Sequence, residues 1–147
     1  MQKEIRIKNR KAHFEYFVEQ EFTAGIMLTG AEVKSVREGK ASISEAYCYL
    51  SATGIMVKGM HIAEFKNAGY LAQEPHRERQ LLLNKTELKK LNTKLKDQGY
   101  TIIPLELFFA ESGYAKLLIG LCRGKKNFDK REDLKSKDLK RELERFG

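Results

Sequence analysis

Four clusters of basic residues carry the most specific chemistry in this 147-residue chain. They are Lys8-Asn9-Arg10-Lys11, the trio Lys34, Arg37 and Lys40, the run His76-Arg77-x-Arg79, and Arg123-Gly124-Lys125-Lys126. Ammonium and guanidinium groups at loop and helix edges suit phosphate oxygens. They hold a nucleic acid in place without reading its sequence. Tyr70 and Phe128 add aromatic faces of the kind that stack on unpaired bases. Any one cluster alone is better read as a solvated face. Four of them on one small chain point to RNA.

The distribution of charge sharpens this. The formal net charge is +8. Residues 1–11 hold five Lys/Arg against one Glu, and residues 123–147 hold ten Lys/Arg against six Asp/Glu. The middle of the chain is balanced, with thirteen of each sign. Basic ends neutralise phosphates and release counterions, which makes binding weaken steeply with salt.

Nothing in the sequence builds a catalytic site. His13, His61 and His76 share no metal-ligand spacing with one another or with the cysteines. Cys48 and Cys122 sit in apolar runs and read as small buried hydrophobes. A phosphate-binding loop, a dinucleotide fingerprint and a nucleophile elbow are all missing. No catalytic residue, metal or cofactor is assigned. No stretch approaches the ~18 apolar residues of a membrane span. The start, MQKEIRIKNRKAHF, lacks the apolar region of a signal peptide. A cytoplasmic, monomeric, non-enzymatic protein is the expectation.

The elements that must position the basic clusters follow from periodicity and caps. His13 to Phe22 alternates as a strand, with Phe14, Tyr16 and Val18 on one face. Thr29 and Glu32 form a T-x-x-E capping box ahead of a helix over 30–38, which Gly39 ends. Val33, Val36 and Leu28 are its expected anchors. Ala46–Ser51 and Ile55–Ile62 read as a hairpin turned at Thr53-Gly54. Residues 64–79 read as one long loop. Gln80–Asn84 is a strand. Asn84 and Glu87 repeat the capping box, and Leu88, Leu91 and Leu95 mark a helix ending at Gly99. Tyr100–Ala110 and Tyr114–Cys122 form the last hairpin, with Pro104 at an edge or bulge. About six strands and two helices suggest a mainly β fold, an OB-like antiparallel barrel. Residues 1–122 form its body and 123–147 a basic tail.

That tail holds too few apolar residues to fold unaided. As a helix from Lys130 it spans about 27 Å at ~1.5 Å per residue. Leu139, Leu143 and Phe146 then form a thin stripe. Asp133–Lys137 and Lys140–Glu144 pair at i, i+4, while Asp138–Glu142 and Lys137–Arg141 repel. Such a helix is weak alone and suits folding against an RNA-lined channel.

Four stretches, in order, carry a resemblance. NRKAHFEYFVEQEFTAGIMLTGAEVKSVREGKASISEAYCYL, then GMHI with PHRERQLLLNKTELKKL, then KLLIGLCRGKKNFDKRE resemble the bacterial SsrA-binding protein (small protein B) family. Only the tail after Glu132 matches loosely. The resemblance implies an OB-like barrel that binds the tRNA-like domain of transfer-messenger RNA and delivers it to stalled ribosomes. Asn9, Arg10, Lys11, Glu32, Lys34 and Lys116 are then expected at or supporting the transfer-messenger RNA surface, with Arg77 and Arg79 of the long loop beside them. Glu32 is also the capping-box acid of its helix. Gly124, Lys125, Lys126, Phe128, Asp129, Lys130 and Arg131 are expected to act on the ribosome, where the tail enters the vacant mRNA path near the decoding centre. Gln80 departs from the family, which usually has a basic residue before LLL. Phe128 occupies a position where the family varies, and the tail lacks a terminal basic run. The other reading is a generic OB-fold single-stranded RNA-binding protein.

Overall fold

A computed structural model describes residues 5–52, 54–64, 74–96 and 99–124. In chain order the elements are β1 (Arg6–Lys8), α1 (Ala12–Glu15), β2 (Tyr16–Ile26), α2 (Gly30–Arg37), β3 (Ala41–Ser42), β4 (Tyr47–Ser51), β5 (Gly54–Lys58), β6 (His61–Ile62), β7 (Arg79–Leu82), α3 (Lys85–Leu95), β8 (Tyr100–Phe109) and β9 (Ala115–Gly124). β8 pairs with β9, β9 with β2, β2 with β7, β7 with β5, β5 with β4, and β4 returns to β8. Every pairing is antiparallel, so six strands close into a barrel. Closure gives each strand of the ring a partner on both sides, though β2 meets β7 at only Gly25 and Ile26 and β4 meets β8 at Cys48. β1 adds to β8 beyond the end of β4, and β3 pairs with β6 as a separate two-stranded ribbon.

Both capping boxes form. Thr29 Oγ1 accepts from the Glu32 N–H and Asn84 Oδ1 from the Glu87 N–H, and each glutamate reaches back to the cap's own N–H. α2 ends one residue earlier than expected, and Gly39 follows at φ 77°. Val36 and Leu91 bring the two helices onto the barrel core, fully buried. Such a side chain contributes about 1.5–3 kcal/mol by leaving water. Leu28 packs at the edge of that core, but Val33 is only half-buried. Glu32 and Ser35 occupy buried positions on α2 instead.

Two bulges give the barrel a second, smaller core. β2 shifts register between Val18 and Gln20, and β8 between Pro104 and Glu106, where Pro104 is expected to sit. An extra residue reverses which face alternate side chains occupy. Hence Phe22, Ala24 and Ile26 face the main core, while Tyr16 and Val18 pack on the outer cluster of Ala12, Ile103, Leu105 and Cys122. The expected strand over His13–Phe22 is corrected accordingly. Ala12–Glu15 takes one helical turn to place Ala12 on that cluster, and Phe14 is left 80% exposed. Cys48 and Cys122 are buried free thiols. Burial pushes the Cys122 thiol up to about 12.

The expected strand over Ile55–Ile62 breaks at Gly59, which lies at φ 82°. The turn buries Met60 and hands the chain to β6. A Cβ at Gly59 would lie 2.8 Å from the Glu45 carbonyl oxygen, and backbone cannot yield as a side-chain tip can. Gly59→Ala should therefore destabilise the fold by about 1–3 kcal/mol. Urea unfolding checks this: the midpoint should fall with the slope unchanged.

Candidate nucleic-acid interface

Glu32, in the first turn of α2, receives two arginines. Its Oε1 accepts from Arg77 Nη2 at 2.6 Å, and its Oε2 from Arg79 Nε at 2.8 Å, with Arg79 Nη2 2.7 Å away. The Thr29 N–H donates to the same Oε1 at 2.9 Å. Burial alone would raise the Glu32 carboxyl. The Arg77 guanidinium, the Thr29 N–H and Arg79 outweigh burial and hold it below the ordinary carboxylate range. Arg79 is wholly buried. Its Nη1 donates to the carbonyls of Met60 and Arg77 at 3.1 and 2.7 Å, and its Nη2 to that of Pro75 at 3.1 Å.

This geometry moves one boundary of the loop read over residues 64–79, whose described residues before Arg79 belong to no strand or helix. Arg79 opens β7 and spends its donors on protein, so it offers none to phosphate. It ties the Pro75–Arg77 turn and the end of the Gly59 bend to α2. Arg77 is about one-third exposed and keeps one side toward water. His76 meets His61, with ring centroids 4.9 Å apart, a contact that spacing along the chain does not reveal. Residues 65–73 of that loop, with Tyr70, lie outside the described residues.

The N-terminal cluster divides in the same way. Asn9 is buried, and its Nδ2 donates to the carbonyls of Pro104 at 2.9 Å and Ile43 at 3.3 Å. Its backbone N–H donates to the Leu105 carbonyl, so Asn9 clamps the arm onto the β8 bulge. Arg10 and Lys11 face solvent, with Lys11 Nζ 2.8 Å from Glu45 Oε1. Lys34 is exposed on α2, and Arg37 lies 4.2 Å above the Phe109 ring.

Lys116 belongs to an outward-facing row that crosses the barrel wall. The register sets Arg6 opposite Phe108, Phe108 opposite Lys116, Lys116 opposite Gly25, and Gly25 opposite Leu82. Leu82 is 53% exposed and its side chain covers Gly25, where a Cβ would meet it at 3.4 Å. Met27 is exposed close by in sequence. Leu82 does not appear among the residues singled out from sequence, yet a signal was present. In a period-2 strand three consecutive leucines cannot all face inward, so the middle one must point out.

Gly124 ends β9 opposite Tyr16. Lys125, Lys126, Phe128, Asp129, Lys130 and Arg131 lie outside the described residues. Just before them, Arg123 Nη2 donates to Tyr100 Oη at 3.1 Å, and its guanidinium sits 4.5 Å above that ring. Tyr100 Oη donates in turn to Glu19 Oε2 at 2.6 Å. The final strand is thus pinned at its last side chain. β9 runs two residues further than the expected Cys122. Among the described residues no helix is long and apolar enough to cross a membrane.

The family model described as SmpB protein matches residues 6–147. The chain belongs to the SmpB family. An SsrA-binding protein of Phocaeicola vulgatus is 51% identical over 142 residues, covering 97% of this chain and 95% of that protein. One from Treponema denticola is 43% identical, covering 96% of this chain and 91% of its own length. A solved chain described as "tmRNA-SmpB: a journey to the center of the bacterial ribosome" superposes with a TM-score of 0.69 at 38% identity, covering 82% of this chain and 85% of that one. The SmpB match thus includes the barrel, the Glu32 node and the tail.

Glu32→Ala strands Arg79 as a buried unpaired charge and should cost about 3–5 kcal/mol of stability. Arg77→Ala, whose side chain is already about one-third exposed, should cost less. Because the Glu32 carboxyl titrates lower in the folded chain than unfolded, its contribution is present above the unfolded value of about 4.3 and lost as pH falls below it. Unfolding free energies measured across acid pH should show that loss in the native chain, and Glu32→Gln should lack it.

Proposed function

We propose that this chain is the RNA-binding adaptor of trans-translation. It binds the tRNA-like domain of transfer-messenger RNA and brings that RNA to stalled ribosomes, where the stalled peptide is tagged and the ribosome freed. The observation that carries this reading is the likeness of the barrel, at TM-score 0.69 and 38% identity, to a chain described with tmRNA-SmpB and the bacterial ribosome. Its partners are transfer-messenger RNA and the ribosome, including small-subunit rRNA at the decoding centre and mRNA channel. The protein works by binding rather than by catalysis, in the cytoplasm, without a cofactor.

The residues then sort by exposure. Arg10, Lys11, Lys34, Arg77 and Lys116 present charge to phosphates. Lys11 exchanges Glu45 for phosphate readily, since an exposed ion pair holds only about 0–1 kcal/mol. Asn9, Glu32 and Arg79 support that surface from beneath. Lys116, flanked by Phe108 and Leu82, offers a cation between two apolar faces, which suits a backbone whose bases or riboses pack beside the phosphate. Gly124 is the root of the tail, and Lys125, Lys126, Phe128, Asp129, Lys130 and Arg131 act on the ribosome.

Two measurements test the division of labour. Truncation after Gly124 should abolish peptide tagging while binding of transfer-messenger RNA survives. Lys116→Glu should weaken that binding with an unchanged melting midpoint. Loss of RNA binding on truncation would overturn the separation of body and tail. Equal affinity for unstructured RNA in competition with a tRNA-like fold would favour the generic single-strand binder.

A further inference from the structure

A second basic surface lies on α3, away from the row that holds Lys116. A groove of ≈ 690 Å³ runs between this helix and β2, lined by Gln20, Thr86, Lys89, Lys90, Thr93 and Lys94. The helix carries four lysines and one glutamate over Lys85–Leu95. That glutamate, Glu87, accepts from the Asn84 N–H in the capping box. Among the described residues no carboxylate lies within ion-pair distance of Lys89 or Lys90. Lys94 extends the surface to Tyr100, its Nζ 5.9 Å from the ring centroid, beside the root of the tail.

We propose that this groove binds the phosphate backbone of an RNA, as a contact separate from the Lys116 row. The inference rests on the adaptor reading above. Gln20 sits five residues before Gly25 on β2, and Gly25 is the partner of Lys116. At ~3.4 Å per residue the two surfaces lie about 17 Å apart along the strand. That is roughly twice the screening length at physiological salt, so the groove is not an extension of the first site.

The lining chooses RNA over a protein partner. Protein interfaces concentrate aromatic, Met and Arg anchors at their centres and are depleted in Lys. This groove offers ammonium groups, two threonine hydroxyls and an amide over walls that are mostly the aliphatic carbon of those same side chains, with no aromatic, Met or Arg anchor and no carboxylate in its lining. Point charges and small polar donors suit phosphate and sugar oxygens and carry no base preference. Lys90 and Lys94 stand one helical turn apart, about 6 Å along the axis, so the groove meets an extended anion rather than a single ion.

The test replaces Lys89 and Lys90, which hold no described partner, in the full-length protein. Salt dependence is measured in two arms, against purified transfer-messenger RNA and against purified ribosomes. K89A/K90A should lower the slope of log affinity against log salt by about 1.5, the loss of two phosphate contacts. The arm that changes identifies the RNA, and K89R/K90R should keep the native slope. Unchanged slopes in both arms, or an equal loss with K89R/K90R, would overturn the inference while leaving the adaptor reading intact. Ribosome binding lost with no change of slope would assign the groove to a protein and also overturn it. A native chain that fails to bind transfer-messenger RNA would overturn both readings.

Discussion

A buried carboxylate between two guanidinium groups ties together segments that carry several of this protein's basic side chains. Glu32 closes its own helix through the capping box and then accepts Arg77 and Arg79. A buried ion pair is not stabilising merely by existing, since desolvation offsets much of the attraction. Here geometry tips the balance. Arg79 satisfies three carbonyls in addition to the carboxylate, so little of its hydrogen-bonding capacity is stranded. The node joins α2, the Gly59 bend, the Pro75–Arg77 turn and β7, and it adds to the ties that Ser35 Oγ to the Ala63 carbonyl, the Ile62 N–H to the Pro75 carbonyl and the β5–β7 ladder already make.

The sequence made local structure legible where one residue's chemistry decides it. Both capping boxes and the Pro104 bulge are readable because each depends on a short pattern with one physical use. The barrel itself follows from strand count and turn spacing. Three features were hidden. The one-turn α1 is too short for periodicity, and its Phe14 imitates a strand residue. The second core depends on two bulges, and a bulge reverses the inward face without altering composition. The break at Gly59 is legible only once Glu45 is seen beside it.

The candidate site residues were legible by type and less so by role. Basic clusters and family motifs located Arg79 and Asn9, but nothing along the chain tells a phosphate ligand from a buried clamp. Burial decides that, and burial is a tertiary property. Arg77 and Arg79 are two residues apart, yet one keeps water on one side and the other keeps none. Leu82 was the opposite case, an apolar residue whose strand parity sends it outward. The α3 groove drew no notice from sequence because lysines on a helix are ordinary until their missing counter-charges are visible.

The pinned end of β9 has a mechanical consequence. This strand is bonded along most of its length on both sides, to β2 and to β8, up to Arg123 and Gly124. A pull on the chain beyond Gly124, directed along the strand, loads both ladders in shear, so many hydrogen bonds bear the force together. A strand hinged at a sheet edge would instead unzip one bond at a time. Whatever grips the last residues of this chain therefore pulls against the whole barrel, which can turn or travel as a unit without its final strand peeling away.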